Sequence, residues 1–163
     1  MTVQLDRSAP AFGLPGRIQA PNSRPRSIAL VGLGRGGAAI AQGLSANDLG
    51  AVDVKVFAAP PPLAEDALAG IKSNGEGLHR ALRDADMIFV VACRGDDASL
   101  VSVVSRIARE RNAQVTAIYI VALEDARREE EDDNLRLLRA GVHMLVVASD
   151  ESYVAAMVAA LGS

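Results

Sequence analysis

The chain has 163 residues, the size of one ordinary domain, and 50% of them are hydrophobic, so the chain can bury a core of its own. Aromatic residues make up only 3%, and the core must therefore be built from aliphatic side chains, as in a buried parallel sheet covered by helices. A formal net charge of -3 and an isoelectric point near 5.4 argue against a broad nucleic-acid-binding surface.

The single cysteine, Cys93, excludes a disulfide within the chain and fits a reducing compartment. No apolar run approaches the roughly 20 residues that a membrane-spanning helix needs. The N-terminus lacks the charged and then apolar pattern of a signal peptide. We therefore expect a cytoplasmic protein that does not contact membranes.

Residues 1–26 differ in composition from the rest of the chain, since they contain four prolines and four arginines without sustained periodicity. Such a segment cannot bury enough apolar area to offset the entropy of ordering it. We predict a flexible tail over 1–26, with a docking peptide as the alternative, and a single domain over 27–163.

Short, β-branched apolar runs with almost no charge predict five buried strands. They cover 28–31, 52–57, 87–92, 115–121 and 142–148. Helical patterns lie after them, over 38–46, 63–83, 99–111, 127–140 and 152–161. Prolines at 60–62 and three glycines leave open whether 63–83 forms one helix or two pieces. This alternation predicts an α/β fold: a three-layer, Rossmann-like, doubly wound sheet of about five parallel strands with helices on both faces.

The stretch from Ser27 to Leu44 reads SIALVGLGRGGAAIAQGL, an apolar strand, a glycine-rich turn and a helix of small residues. Bare backbone N–H groups and a helix N-terminus meet at such a turn, which favours a bound phosphate. Gly32, Gly34 and Gly37 also satisfy G-x-G-x-x-G, so a nicotinamide-dependent enzyme is the alternative. The second strand, however, ends in VKVFAA, without the carboxylate that would bind a ribose.

The order of these segments resembles the N-terminal nucleotide-binding domain of the FtsZ/tubulin family. IALVGLGRGGAAI is similar to that family's first phosphate loop, and DADMIFVV to its fourth strand. VVSRIARERNAQVTAIYIV and LRAGVHMLVVASDESYV resemble the segments that complete the nucleotide-binding half. The resemblance implies a strand order of 2-1-3-4-5, because the family's third strand is missing here, and a ligand crevice between the first and third strands.

The sequence departs from the family where nucleotide would bind. The family's glycine-rich signature loop is replaced by CRGDDAS over 93–99, which puts Asp96 and Asp97 where phosphate oxygens would lie. The segment after Phe57 that would contact the ribose is largely absent, and an alanine, Ala38 or Ala39, replaces the base-contacting asparagine. The sequence stops at Ser163, before the family's second domain, so we expect no GTP hydrolysis and no catalytic residues.

The resemblance implies a nucleotide-binding set that would take GTP or GDP weakly, if at all. It consists of Gly32, Gly34, Arg35, Gly36, Gly37, Cys93, Arg94, Gly95 and Arg127. Arg127 and Arg128 could equally be solvated residues at a helix start, and Arg35 a solvent-facing loop residue. The two arginines at the phosphate loops, Arg35 and Arg94, could capture a smaller anion.

Two interpretations of the Asp96–Asp97 pair remain open. The pair could hold a Mg²⁺ ion, or one of them could cap a helix that begins near Ala98, which we favour. We expect no other metal site. The sequence thus predicts a non-hydrolysing, FtsZ-like protein of a division or filament system, acting through a protein partner such as itself or an FtsZ-type polymer.

Overall fold

The computed structural model describes residues 26–46, 54–59, 67–125 and 132–162. In these residues five strands alternate with five helices. The strands are β1 (Ile28–Leu33), β2 (Val54–Ala59), β3 (Met87–Cys93), β4 (Gln114–Ile120) and β5 (Met144–Ala148). The helices are α1 (Gly34–Ala46), α2 (Ala67–Leu82), α3 (Val101–Arg111), α4 (Asp133–Gly141) and α5 (Ser152–Gly162). The predicted tail, apart from its last residue, and Arg127 lie outside the described residues.

The sheet has the order β2-β1-β3-β4-β5, and every neighbouring pair is parallel. The predicted fold class and strand order are therefore confirmed. The order reverses between β1 and β3, the point in an open α/β sheet where the loops after the two strands diverge and leave a crevice.

Two apolar layers hold the helices against the sheet. One layer joins α2, α3 and α4 to one face through fully buried side chains such as Leu82, Val104 and Leu138. The other joins α1 and α5 to the opposite face, where Leu44 and Val158 are buried. Helices on both faces explain why the central strands are buried along most of their length and carry few polar residues.

Helix α2 is continuous over Ala67–Leu82, although it contains three glycines. Each glycine costs the helix roughly 1 kcal/mol relative to alanine. Burial of Leu78 and Leu82, both fully buried, offsets much of this cost, at about 1.5–3 kcal/mol each. Gly77 also has a packing reason, because a Cβ there would lie 2.9 Å from Cε2 of Phe57. In the described part of this connection, the two-piece alternative is wrong.

Three helix starts differ from the sequence prediction. Helix α4, predicted from 127, begins at Asp133, where the side chain of Asp132 caps it. Helix α1 begins at Gly34, four residues before the predicted start at 38, so the glycines form its first turn. Helix α3 begins at Val101, and the residue before it, Leu100, makes no capping hydrogen bond through its side chain. The carboxylate of Asp97 accepts the N–H of Ser99 at 2.8 Å and thus caps the turn over 98–100 that leads into α3, as expected for one of the two aspartates. Asp96 contacts α1 instead. No helix in the described ranges is long and apolar enough to cross a membrane.

A matched pair of glycine substitutions tests the packing of α1 on the sheet. A Cβ on Gly37 would lie 2.2 Å from the backbone oxygen of Val91, whereas a Cβ on Gly43 would have no atom within 4 Å. We expect Gly37→Ala to lower the free energy of unfolding by more than about 2 kcal/mol, because the helix must move away from β3. Gly43→Ala should raise it by up to about 1 kcal/mol. Urea denaturation of both variants measures the difference, and equal stabilities would contradict this packing.

Candidate functional site

The turn after β1 and the loop after β3 meet at the carboxyl ends of the strands. Gly34 has a φ of +69°, a left-handed conformation that lets the chain pass directly from β1 into α1. The turn leaves the first backbone N–H groups of α1 without partners in their own helix. Gly95, with a φ of +86°, makes the corresponding sharp turn after β3 and brings Asp96 towards α1.

The carboxylate of Asp96 accepts hydrogen bonds from three backbone N–H groups, those of Gly36, Gly37 and Cys93. We call these three donors the amide site. Its Oδ1 accepts from the N–H of Gly36 at 3.0 Å, and its Oδ2 from that of Gly37 at 2.8 Å. Oδ2 also accepts from the N–H of Cys93 at 2.8 Å. Asp96 is only 9% exposed. A negative charge at a helix N-terminus satisfies the open donors and interacts favourably with the helix dipole.

The glycines of the turn leave space for this aspartate. A Cβ on Gly34 would lie 2.4 Å from the Cβ of Asp96, and one on Gly36 would lie 2.7 Å from the Sγ of Cys93. A larger residue at 34 would have to displace Asp96, and one at 36 would have to displace the Cys93 side chain at the end of β3. The glycine-rich turn, which in the sequence predicts close approach of a phosphate, here accommodates a side chain of the same chain.

The remaining predicted site residues lie around the amide site but do not converge on one point. Arg35 is exposed, and Gly32 lies buried beneath the first turn of α1. The guanidinium of Arg94 donates to the backbone oxygen of Asp125 at 2.8 Å, in the loop after β4. Asp97 is exposed and accepts from the N–H of Ser99 at 2.8 Å. The two aspartates therefore have separate backbone partners.

The geometry of Asp96 and Asp97 does not support a shared metal ion. The Asp96 oxygens accept from the N–H groups of the amide site, and an Asp97 oxygen accepts from the N–H of Ser99. Within the described ranges, no group of three or more His, Cys, Asp or Glu side chains is placed to hold a metal ion.

A cavity of about 570 Å³ adjoins the amide site between α1 and the start of α5. Its apolar wall includes Ile40 and Leu44, and Cys93 lies at its inner end. Asp150 and Glu151 form its acidic side. The N–H of Ser152 donates to Asp150 at 2.7 Å, and this hydrogen bond lowers the pKa of the carboxyl below its usual value. The cavity thus presents carboxylates beside a site that already holds one.

A larger cavity, of about 960 Å³, lies elsewhere, between the C-terminal halves of α2 and α3. Charged side chains of both signs and one histidine line it: Arg80, Arg83, Arg111, Glu76, Glu110 and His79. Basic residues commonly follow the last turns of helices, where they complement the dipole. This cavity contains neither a glycine-rich turn nor a helix N-terminus. We therefore place the candidate site at the carboxyl ends of the strands.

Burial, together with the smaller effects of the neighbouring charges of Asp96 and Glu151, raises the pKa of the Cys93 thiol to about 11. A thiol with such a pKa is almost wholly protonated at neutral pH and is a poor nucleophile. Cys93 is a free, half-buried thiol whose environment does not favour a role as a nucleophile.

Sequence reasoning missed the roles of Asp96, Asp150 and Glu151. The glycine turn and the aspartate pair were both visible, and a carboxylate facing a helix N-terminus is a recurrent pairing. Their contact spans about 60 residues, however, and the sequence did not indicate which of the two aspartates would reach α1. The acidic pair at 150–151 lay in a turn whose proximity to α1 depends on the packing of α5.

A comparison of structures finds that this fold is similar to that of FtsZ from M. jannaschii, solved as an empty dimer. The TM-score is 0.56 and the sequence identity 18%, over 78% of this chain and 46% of the FtsZ chain. The chain therefore matches less than half the length of that protein. No protein-family model matches the sequence, and no curated protein does. The chain has an FtsZ/tubulin-like fold.

Alkylation kinetics test the environment of Cys93. We expect iodoacetamide to react slowly with the folded protein at neutral pH, at a rate that rises about tenfold per pH unit up to about pH 9.5, because the thiolate fraction is far from saturation. Glu151→Gln should speed the reaction at a fixed pH, since it removes a charge that raises the pKa of the thiol. Glu110→Gln, distant from the thiol, serves as the control. A rate at pH 7.5 equal to that of the unfolded chain would contradict this environment.

Proposed function

We propose that this protein is a degenerate FtsZ/tubulin-like domain that does not hydrolyse nucleotide and acts through contacts with other proteins. One observation carries the proposal: the carboxylate of Asp96 accepts the N–H groups of Gly36, Gly37 and Cys93. A phosphate bound at the start of such a helix uses backbone donors of this kind. The protein therefore supplies its own anion at the position where a nucleotide phosphate would bind.

The energetics favour the internal anion over an external one. Hydrogen bonds to a charged group contribute about 1.5–3 kcal/mol each, so displacement of Asp96 costs several kcal/mol before any new contact forms. Each 1.4 kcal/mol weakens binding about tenfold. If the carboxylate remained nearby, its repulsion of a phosphate would add to this cost, because screening is weak in a partly buried site.

The surroundings of the amide site favour the same conclusion. Asp150 and Glu151 border the adjoining cavity and would repel a triphosphate. Arg35 is exposed, and Arg94 donates to the backbone of Asp125. Weak guanine-nucleotide binding remains the second form of the proposal, with the base in the cavity and the phosphates outside the amide site. The partner would be a second copy of this chain or an FtsZ-type polymer, and the setting a division or filament system.

The nicotinamide alternative requires the same donors, because the pyrophosphate of a dinucleotide also binds at the helix that follows the first strand. Asp96 opposes that ligand as it opposes GTP. The strand β2, Val54–Ala59, contains no acidic residue that could bind a ribose hydroxyl. Among the described residues, only the G-x-G-x-x-G spacing of Gly32, Gly34 and Gly37 favours the dinucleotide.

Calorimetric titration of the full chain with GTP, GDP and NAD, each with Mg²⁺, tests the proposal. We expect no saturable binding with a dissociation constant below about 100 μM, which corresponds to roughly -5.5 kcal/mol. Sub-micromolar binding of GTP or GDP, or GTP hydrolysis above the background rate, would overturn it. Sub-micromolar binding of NAD would favour the dinucleotide alternative.

Removal of the internal anion should expose the amide site. We expect Asp96→Ala to lower the free energy of unfolding by about 2–4 kcal/mol, since three N–H donors lose a charged acceptor. Inorganic phosphate or pyrophosphate should then stabilise the variant more than the wild type, by binding the vacated donors. The measurement is the thermal midpoint at increasing anion concentration and constant ionic strength.

Asp97→Ala is the matched control, because Asp97 is the neighbouring aspartate but is exposed and lies outside the amide site. Its midpoint should follow the wild type at every anion concentration. Identical anion responses of Asp96→Ala and wild type would show that Asp96 does not compete with anions.

A further inference from the structure

Strand β5 forms one edge of the sheet, and among the described residues no strand lies beyond it. The other strands whose burial is described in full are almost wholly buried, whereas every residue of β5 is partly or well exposed. Met144 is 45% exposed and Val147 55% exposed. Apolar side chains thus reach solvent along the outer side of the sheet.

The sequence of β5, Met-Leu-Val-Val-Ala, contains none of the features that usually protect an edge strand from pairing. Natural edges carry charged residues, especially lysine, or a proline or bulge. The opposite edge strand, β2, does contain a lysine, Lys55. An unprotected apolar edge on one side of the sheet indicates that another strand covers it.

The backbone of β5 presents a regular set of outward donors and acceptors. The N–H of Val121 donates to the oxygen of Ala148 at 2.9 Å, so Ala148 directs its carbonyl towards β4. Backbone groups alternate in direction along a strand. Within β5, the N–H and C=O groups of Met144 and Val146 therefore also point towards β4. The N–H and C=O groups of Leu145 and Val147 point away from β4 at the edge.

We propose that β5 pairs antiparallel with β5 of a second copy of this chain, about a two-fold axis at Val146, which joins the two sheets into one. In this register Leu145 of each copy lies opposite Val147 of the other. Both residues direct their N–H and C=O groups outward, so each opposed pair exchanges two hydrogen bonds, as in a regular antiparallel ladder. Four backbone hydrogen bonds then cross the interface.

The side chains fit the same register. Met144, which is large and exposed, lies opposite the small Ala148 of the second copy, and the exposed Val147 lies opposite Leu145. Opposed residues in an antiparallel pair have their side chains on the same face, where they make contact. Each exposed apolar side chain of the edge therefore gains a partner of suitable size.

Charges on the flanking helix are also complementary under this symmetry. Helix α4 packs beside β5 on one face, with Asp132 and Asp133 at its start and Arg139 in its last turn. A two-fold axis at β5 makes the two copies of α4 antiparallel, so the acidic start of each faces the basic end of the other. The pairing is also favourable for the helix dipoles. A second copy of the chain therefore matches the backbone donors, the side-chain sizes and the helix charges at this edge. The interface does not involve the amide site.

Sedimentation equilibrium of the full chain and of Val147→Pro tests the interface. Proline removes an outward N–H in each copy without removing a hydrogen bond to β4. We expect the wild type to be a dimer at about 100 μM or below, and Val147→Pro to raise the dissociation constant by about tenfold or more. Val147→Lys, which adds the charge that protected edges carry, should have the same effect and is the second variant if the proline variant does not fold.

Leu123→Lys is the control, because Leu123 is 71% exposed but lies in the turn after β4 and not on β5. It should dimerise as the wild type does, and circular dichroism of all three variants should show a retained fold. A monomeric wild type at about 100 μM would overturn the proposal. A dimer that both Val147 variants leave unchanged would also overturn it, since such a dimer would use another surface.

Discussion

The backbone N–H groups at the start of α1 require an acceptor, and the choice of that acceptor determines what the site can do. An acceptor from outside the chain would make the turn a ligand site, whereas an acceptor within it makes the turn part of the fold. Here the acceptor is the carboxylate of Asp96, with hydrogen bonds of 2.8 and 3.0 Å to Gly37 and Gly36. The loop after β3 is thereby fixed to the helix after β1.

This contact links features that would otherwise be unrelated. The left-handed Gly34 and Gly95 shape the two turns, and the absence of a Cβ at Gly36 leaves room for the loop. The same carboxylate contributes to the raised pKa of Cys93, which keeps the thiol protonated and unreactive at the inner end of the adjoining cavity. In this fold, which is similar to that of FtsZ, the donors of the glycine turn bind a residue of the chain itself.

The sequence was sufficient to predict the architecture, because the strands follow from strong, regular patterns and their order from the resemblance to the FtsZ/tubulin family. Apolar runs such as Met87–Cys93 are typical of strands buried in a parallel sheet. The glycine turn indicated where the crevice lies. The continuity of α2 was left open because packing of Leu78 and Leu82 on the sheet outweighs the local cost of its glycines. Local propensity could not supply that information.

The site was predicted less well, since its defining contact joins residues about 60 positions apart. The sequence placed two aspartates near a phosphate-type turn, but the favoured explanation, a cap for the helix near Ala98, describes only Asp97 and misses the contact of Asp96 with α1. Only the turn at Gly95 determines that Asp96 reaches α1 and that Asp97 contacts Ser99. The exposure of β5 could not be predicted from its own residues either. The same apolar run would be buried at the centre of a sheet, and only the strand order places it at the edge.

Whether Asp96 excludes nucleotide phosphates can be observed directly at the donors it binds. In a ¹⁵N–¹H correlation spectrum of the full chain, the amide resonances of Gly36 and Gly37 report on their acceptor. We expect both resonances to keep their positions as GTP and Mg²⁺ are added to millimolar concentration. Saturable movement of both resonances on addition of GTP would mean that the phosphate displaces the carboxylate, and would contradict the exclusion of nucleotide by Asp96.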